Sequence, residues 1–86
     1  MKTVEERYAL IAQHFSNSGY KCIEITSELI KVQSLLKDLQ QPDLVKDVKE
    51  SISYFKDLVS LYGNLAIVFA QKAGVNNETE TNQAQH

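Results

Sequence analysis

Between Leu58 and Ala70 the chain reads LVSLYGNLAIVFA, and only Ser60, Gly63 and Asn64 in those thirteen residues are not hydrophobic. A helix here carries carbon on almost every side, whereas the segments before it are apolar along one side only. From the N-terminus, apolar or small residues recur at Val4, Tyr8, Ile11, Phe15, Ser18, Cys22, Ile25, Leu29, Val32, Leu36 and Leu39, in alternating steps of four and three. This heptad seam predicts a helix over about 4–39 that packs at a shallow angle against a neighbour. Thr3 followed by Glu6 is a capping-box pattern, in which hydroxyl and carboxylate satisfy free amides, and it places the helix start at Val4.

Ser16-Asn17-Ser18-Gly19 interrupts this seam with residues that favour turns and caps. A turn would reset the phase, yet the phase runs through with only Ser18 in a hydrophobic position. One continuous helix follows, about 54 Å long at about 1.5 Å per residue. The alternative folds a short helix 4–15 back on a second that starts near Ser18, which would give a three-helix monomer. Pro42 marks the clearest boundary, because it cannot continue a helix but suits the first turn of a new one, with Asp43 favourable at its positive end. The second seam, Val45, Val48, Ile52, Phe55, Val59, Tyr62, Ala66, Phe69 and Ala73, is as regular as the first and predicts a helix over about 42–73. Gly74 stands where a left-handed cap would end it. The fold class is all-α, an antiparallel helical hairpin over 1–75, followed by a polar tail, 76–86, that is expected to be disordered.

A hairpin alone leaves too much carbon in water. The second seam is flanked by Leu44, Leu58 and Leu65, read as one side, and by Tyr54, Leu61 and Val68, read as the other, with Ile67 almost opposite. The first helix adds Ile23, Ile30 and Leu35. Each wet Leu, Ile or Val forgoes up to about 1.5–3 kcal/mol, so the pattern implies a four-helix-bundle dimer or a higher oligomer. Its expected interface comprises Leu58, Leu61, Tyr62, Asn64, Leu65, Val68 and Phe69, centred on the Gly63–Asn64 level, where Gly63 admits a close backbone and a buried amide would set register.

Composition narrows the function by exclusion. The net charge of −2 belongs to the tail, since Glu78 and Glu80 leave nine basic and nine acidic residues in 1–75. A formally neutral body without a Lys/Arg cluster argues against nucleic acid. The apolar run is short of the roughly 20 residues of a membrane span, and the first residues do not read as a secretory signal. The expected location is therefore cytoplasmic. One cysteine, Cys22, excludes an internal disulfide and fits a reducing compartment, and with only His14 and His86 beside it no metal-ligand spacing exists. Asn77-Glu78-Thr79 matches a glycosylation sequon, which has no weight without that signal.

Candidate chemistry is sparse. His14 would need an orienting carboxylate and a pocket to act as a base, and it reads more simply as a histidine beside an interface. Cys22 on a seam reads as a small buried hydrophobe. Glu24 and Glu28 share a face, but Glu-x-x-His pairs for a bundle metal site are lacking, so Lys21 and Lys31 are their expected partners. A weak echo of apolar-apolar-Lys-Asp-apolar at 35–39, 44–48 and 54–58 reads as surface patterning. The sequence therefore implies no enzyme, cofactor or metal. It implies a non-catalytic helical protein-protein interaction module, an adaptor, co-chaperone or small inhibitor or regulator, that binds itself and another protein. The alternative is an oligomeric small-molecule binder, in which symmetry gathers Arg7, Tyr8, His14, Tyr20 and Lys21 around an anionic ligand.

Overall fold

The computed structural model describes residues 2–75, so the expected disorder of 76–86 falls outside the described residues. Helix α1 runs from Val4 to Asp38 and helix α2 from Pro42 to Ala70. A five-residue π-helical turn, Gln71–Val75, continues α2, so its regular part stops three residues short of the expected 73. At the start of α1 the Thr3 hydroxyl accepts from the Glu6 amide at 3.1 Å, the expected N-cap, but the Glu6 carboxylate accepts from that hydroxyl at 3.3 Å rather than from the Thr3 amide, so the reciprocal half of the capping box is replaced by a side-chain bond. At the far end Gly74 has φ 95°, the left-handed conformation that ends a helix.

The two helices lie side by side as an antiparallel hairpin, and α1 is unbroken through 16–19. Gly19 is buried here, and a Cβ placed on it would meet the Cβ of Tyr62 at 3.8 Å. The glycine marks a close approach between helices, which is why it interrupts nothing.

Between the helices the chain reverses through a tight cap. Gln40 takes φ 56°, its amide donates to the Lys37 carbonyl at 3.0 Å, and the Gln41 amide donates to the Leu36 carbonyl at 3.1 Å. This pair of bonds is a Schellman motif, normally closed by glycine because a Cβ crowds the left-handed conformation. Pro42 then opens α2 with its fixed φ and no amide to satisfy.

The packing corrects the expected seam of α1. Tyr8, Phe15, Cys22, Leu29 and Leu36 do face α2, but the alternate positions are Ala12, Gly19, Thr26 and Gln33 rather than Ile11, Ser18, Ile25 and Val32. Ile25 is 40% exposed and Val32 42%, whereas Ala12, Gly19 and Thr26 are buried. Thr26 is accommodated because its hydroxyl donates to the Cys22 carbonyl one turn back, at 2.8 Å. The seam of α2 is as expected, with Ile52 buried and its other members half-buried.

Two glycine-related substitutions test this account. Gln40→Gly should raise stability by about 0.5–1 kcal/mol by relieving the left-handed strain. Gly63→Ala should do the same through helix propensity, since nothing lies within 4 Å of the added methyl. Urea denaturation followed by circular dichroism measures both, and a loss of stability in either variant would contradict the geometry described.

Candidate functional site

Each helix meets its neighbour along two lines, and the lines are unlike. On one side run the large residues: the rings of Tyr8 and Phe69, of Phe69 and Phe15, and of Phe15 and Tyr62 each stand 5.8 Å apart. These distances lie within the range of favourable aromatic pairs and make one interleaved ladder from both helices. Lys72 lies over the outer face of the Tyr8 ring, 5.9 Å from its centre, and closes the ladder at its open end.

On the other side run the small residues. Here the helices leave a chain of clefts, the first of about 270 Å³ between Ser16, Gly19 and Ile23 of α1 and Val59, Gly63 and Ala66 of α2. Ile23, Thr26, Lys56 and Val59 continue it. Ile30, Gln33 and Lys37, facing Val45, Lys49, Ile52 and Lys56, widen it to about 550 Å³ nearer the turn.

The hairpin thus has an aromatic face and a grooved face. Beside the large line of α1 lie Val4, Ile11, Ile25, Val32 and Leu39, all exposed. Beside the large line of α2 lie Leu58 and Leu65, half-buried, and then Tyr54, Leu61 and Val68, exposed. The expectation that these two flanks of α2 lie on opposite sides is wrong. Residues 61 and 68 each follow a member of the first line by three positions, so on a helix the lines are neighbours. Ile67 is misplaced by the same reading, since it borders the first cleft.

The expected interface residues divide accordingly. Leu58, Leu61, Leu65 and Val68 belong to the aromatic face, and Tyr62 and Phe69 are rungs of its ladder. Asn64 is exposed on the side of α2 turned away from the seam, and Gly63 opens onto the groove.

The candidate ligand contacts do not converge within one hairpin. Arg7, His14 and Lys21 follow one another at intervals of seven, a single line along α1 with about 10 Å between neighbours. Tyr8 is in the ladder, and Tyr20 borders the groove on another side of α1. Among the described residues no group of three or more His, Cys, Asp or Glu side chains is placed to hold a metal, and no helix is long and apolar enough to cross a membrane. Glu28 pairs with Lys31 at 3.1 Å, both exposed, which is the solvated pair expected of them. The clefts were not legible as a site, because their lining is defined by small residues and by which face the lysines take.

The chain matches no protein-family model, and neither a known protein nor a solved structure shows significant similarity to it.

Cys22 is 6% exposed and lies against α2. Its labelling by a bulky thiol reagent should be at least roughly tenfold slower in the native protein than in urea, because the reagent must wait for the hairpin to open. Equal rates would place the thiol outside the seam.

Proposed function

We propose that the chain is a non-catalytic helical protein-protein interaction module that works as a homo-oligomer, two hairpins closing on each other through their aromatic faces. One observation carries the reading. The lines immediately beside the ladder, from Val4 to Leu39 on α1 and from Leu44 to Leu65 on α2, contain no charged residue, and charges first appear one line further out, at Asp47 on α2 and at Arg7, Lys21 and Glu28 on α1. Two copies can meet there without burying an unpaired ion, the penalty that usually blocks apolar association.

Area and stability support it. The overlap is about 44 Å long, from 29 residues of α2, and two helices wide, so each copy can bury about 800 Å², the size of an ordinary stable interface. A lone hairpin has a thin core, the buried hydrophobic side chains among the described residues being Ala12, Cys22 and Ile52. A chain that depends on a partner for its core needs one that is always present at matching concentration. A second copy meets that condition.

The test is the mass of the native protein by native mass spectrometry or light scattering. Wild type should run as a dimer or a larger closed multiple. Ile25→Glu combined with Leu61→Glu should weaken association about a hundredfold or more, giving monomer or loss of helical signal, because both carboxylates would be buried. Ile30→Glu, on the grooved face, should keep the wild-type mass. A monomeric wild type, or a double variant of unchanged mass and helicity, would overturn the reading.

A further inference from the structure

The grooved face stays outward when the aromatic faces close, and its two ends differ in chemistry. Toward Gly63 the lining is apolar and shallow, with open space above the glycine. Toward the turn, Lys37 of α1 and Lys49 and Lys56 of α2 border one cleft of about 550 Å³, and none of the residues lining it is acidic.

The lysines have no neighbour on their own helix to neutralise them. Positions three and four residues either side of Lys49 are Val45, Lys46, Ile52 and Ser53, and around Lys56 they are Ile52, Ser53, Val59 and Ser60. Asp38, Glu50 and Asp57, next to Lys37, Lys49 and Lys56 in sequence, are each turned about 100° away, and among the described residues the one ion pair is Lys31 with Glu28. A body whose residues 1–75 are formally neutral therefore carries a local positive field over an apolar groove.

We propose that this face receives an acidic amphipathic helix of another protein. The groove runs from the level of Ser16 to that of Lys37 along α1, about 30 Å, which accommodates roughly twenty helical residues. Lys49 and Lys56 are one heptad apart, so the partner presents carboxylates at that same interval beside an apolar stripe. At the other end a side chain of the stripe enters the space over Gly63. An apolar groove favours a helix over a nucleic acid, whose phosphates would use the lysines but leave Ile23, Val59 and Ala66 uncovered. This assignment rests on the reading of the chain as an interaction module and names its partner.

The experiment selects from a displayed library of randomised 20-residue helices on the full-length protein, with its native mass read in parallel. The enriched sequences should carry acidic residues seven apart next to an apolar stripe. A selected peptide should bind at least roughly tenfold more weakly to Lys49→Glu/Lys56→Glu and progressively more weakly with rising salt. Gly63→Leu, whose Cβ would meet nothing within 4 Å on the hairpin, should weaken the same peptide by filling its anchor space. No enrichment, a consensus without acidic residues, affinity unchanged in the charge-reversed variant, or equal competition by a single-stranded oligonucleotide would each overturn the assignment. A dimer that ignores acidic helices sinks this partner alone, and a monomer that binds them sinks the self-association alone.

Discussion

The approach of Gly19 to Tyr62, with 3.8 Å between the glycine's absent Cβ position and the tyrosine Cβ, sets the character of the molecule. Two helices that meet through Ala12 and Gly19 on one and Ala66 on the other come close on that side. Their large seam residues are then displaced to the opposite side, where Tyr8, Phe15, Tyr62 and Phe69 interleave. A symmetric seam of large residues would have buried its aromatics centrally and left two similar faces. The asymmetric seam leaves one face rich in half-covered rings and another with clefts over small side chains.

This asymmetry explains what the sequence made legible and what it hid. The interval of seven on α1 was readable, and Tyr8, Phe15, Cys22, Leu29 and Leu36 are where it puts them. The second seam line was not, because α1 offers two candidates one residue apart, Ile11-Ser18-Ile25-Val32 and Ala12-Gly19-Thr26-Gln33. Hydrophobicity favours the first, but close approach favours the second, and close approach decides packing between two helices. The aliphatic line left over is the exposed one. The same logic resolves Ser16 to Gly19, whose turn-forming composition reflects a need for small volume inside a helix. Pro42 announced the reversal between helices, whereas the left-handed residue before it is a glutamine, which gives no local signal.

The candidate site was legible only in part. Excess carbon on α2 could be counted from the sequence, and Leu58, Leu61, Leu65 and Val68 do share a face. Gly63 and Asn64, the oddities of that stretch, lie off that face. Two of the groove's lysines, Lys37 and Lys56, were visible in a repeated Lys-Asp pair that looked like ordinary surface, whereas Lys49 belongs to no such pair. Consecutive residues on a helix diverge by about 100°. Lys37 and Lys56 therefore turn into the groove while Asp38 and Asp57 turn out of it, and local neutrality in sequence becomes charge separation in space.

Two faces of unlike chemistry on one hairpin have a consequence for assembly. Closing the aromatic faces around a two-fold axis sends the two grooves to opposite outer surfaces, so neither is consumed by self-association and neither can reach the other's occupant. Such a dimer carries two equivalent sites, and a partner with two acidic helices on a linker long enough to pass around the bundle would bind with an effective concentration set by that linker. The dependence also runs the other way. In the proposed dimer the second copy completes the core of each hairpin, and the groove walls are the same two helices, so dissociation of that dimer would soften the clefts before any ligand is lost. Affinity for the acidic helix is thereby tied to oligomer concentration through folding, without any contact between the two faces.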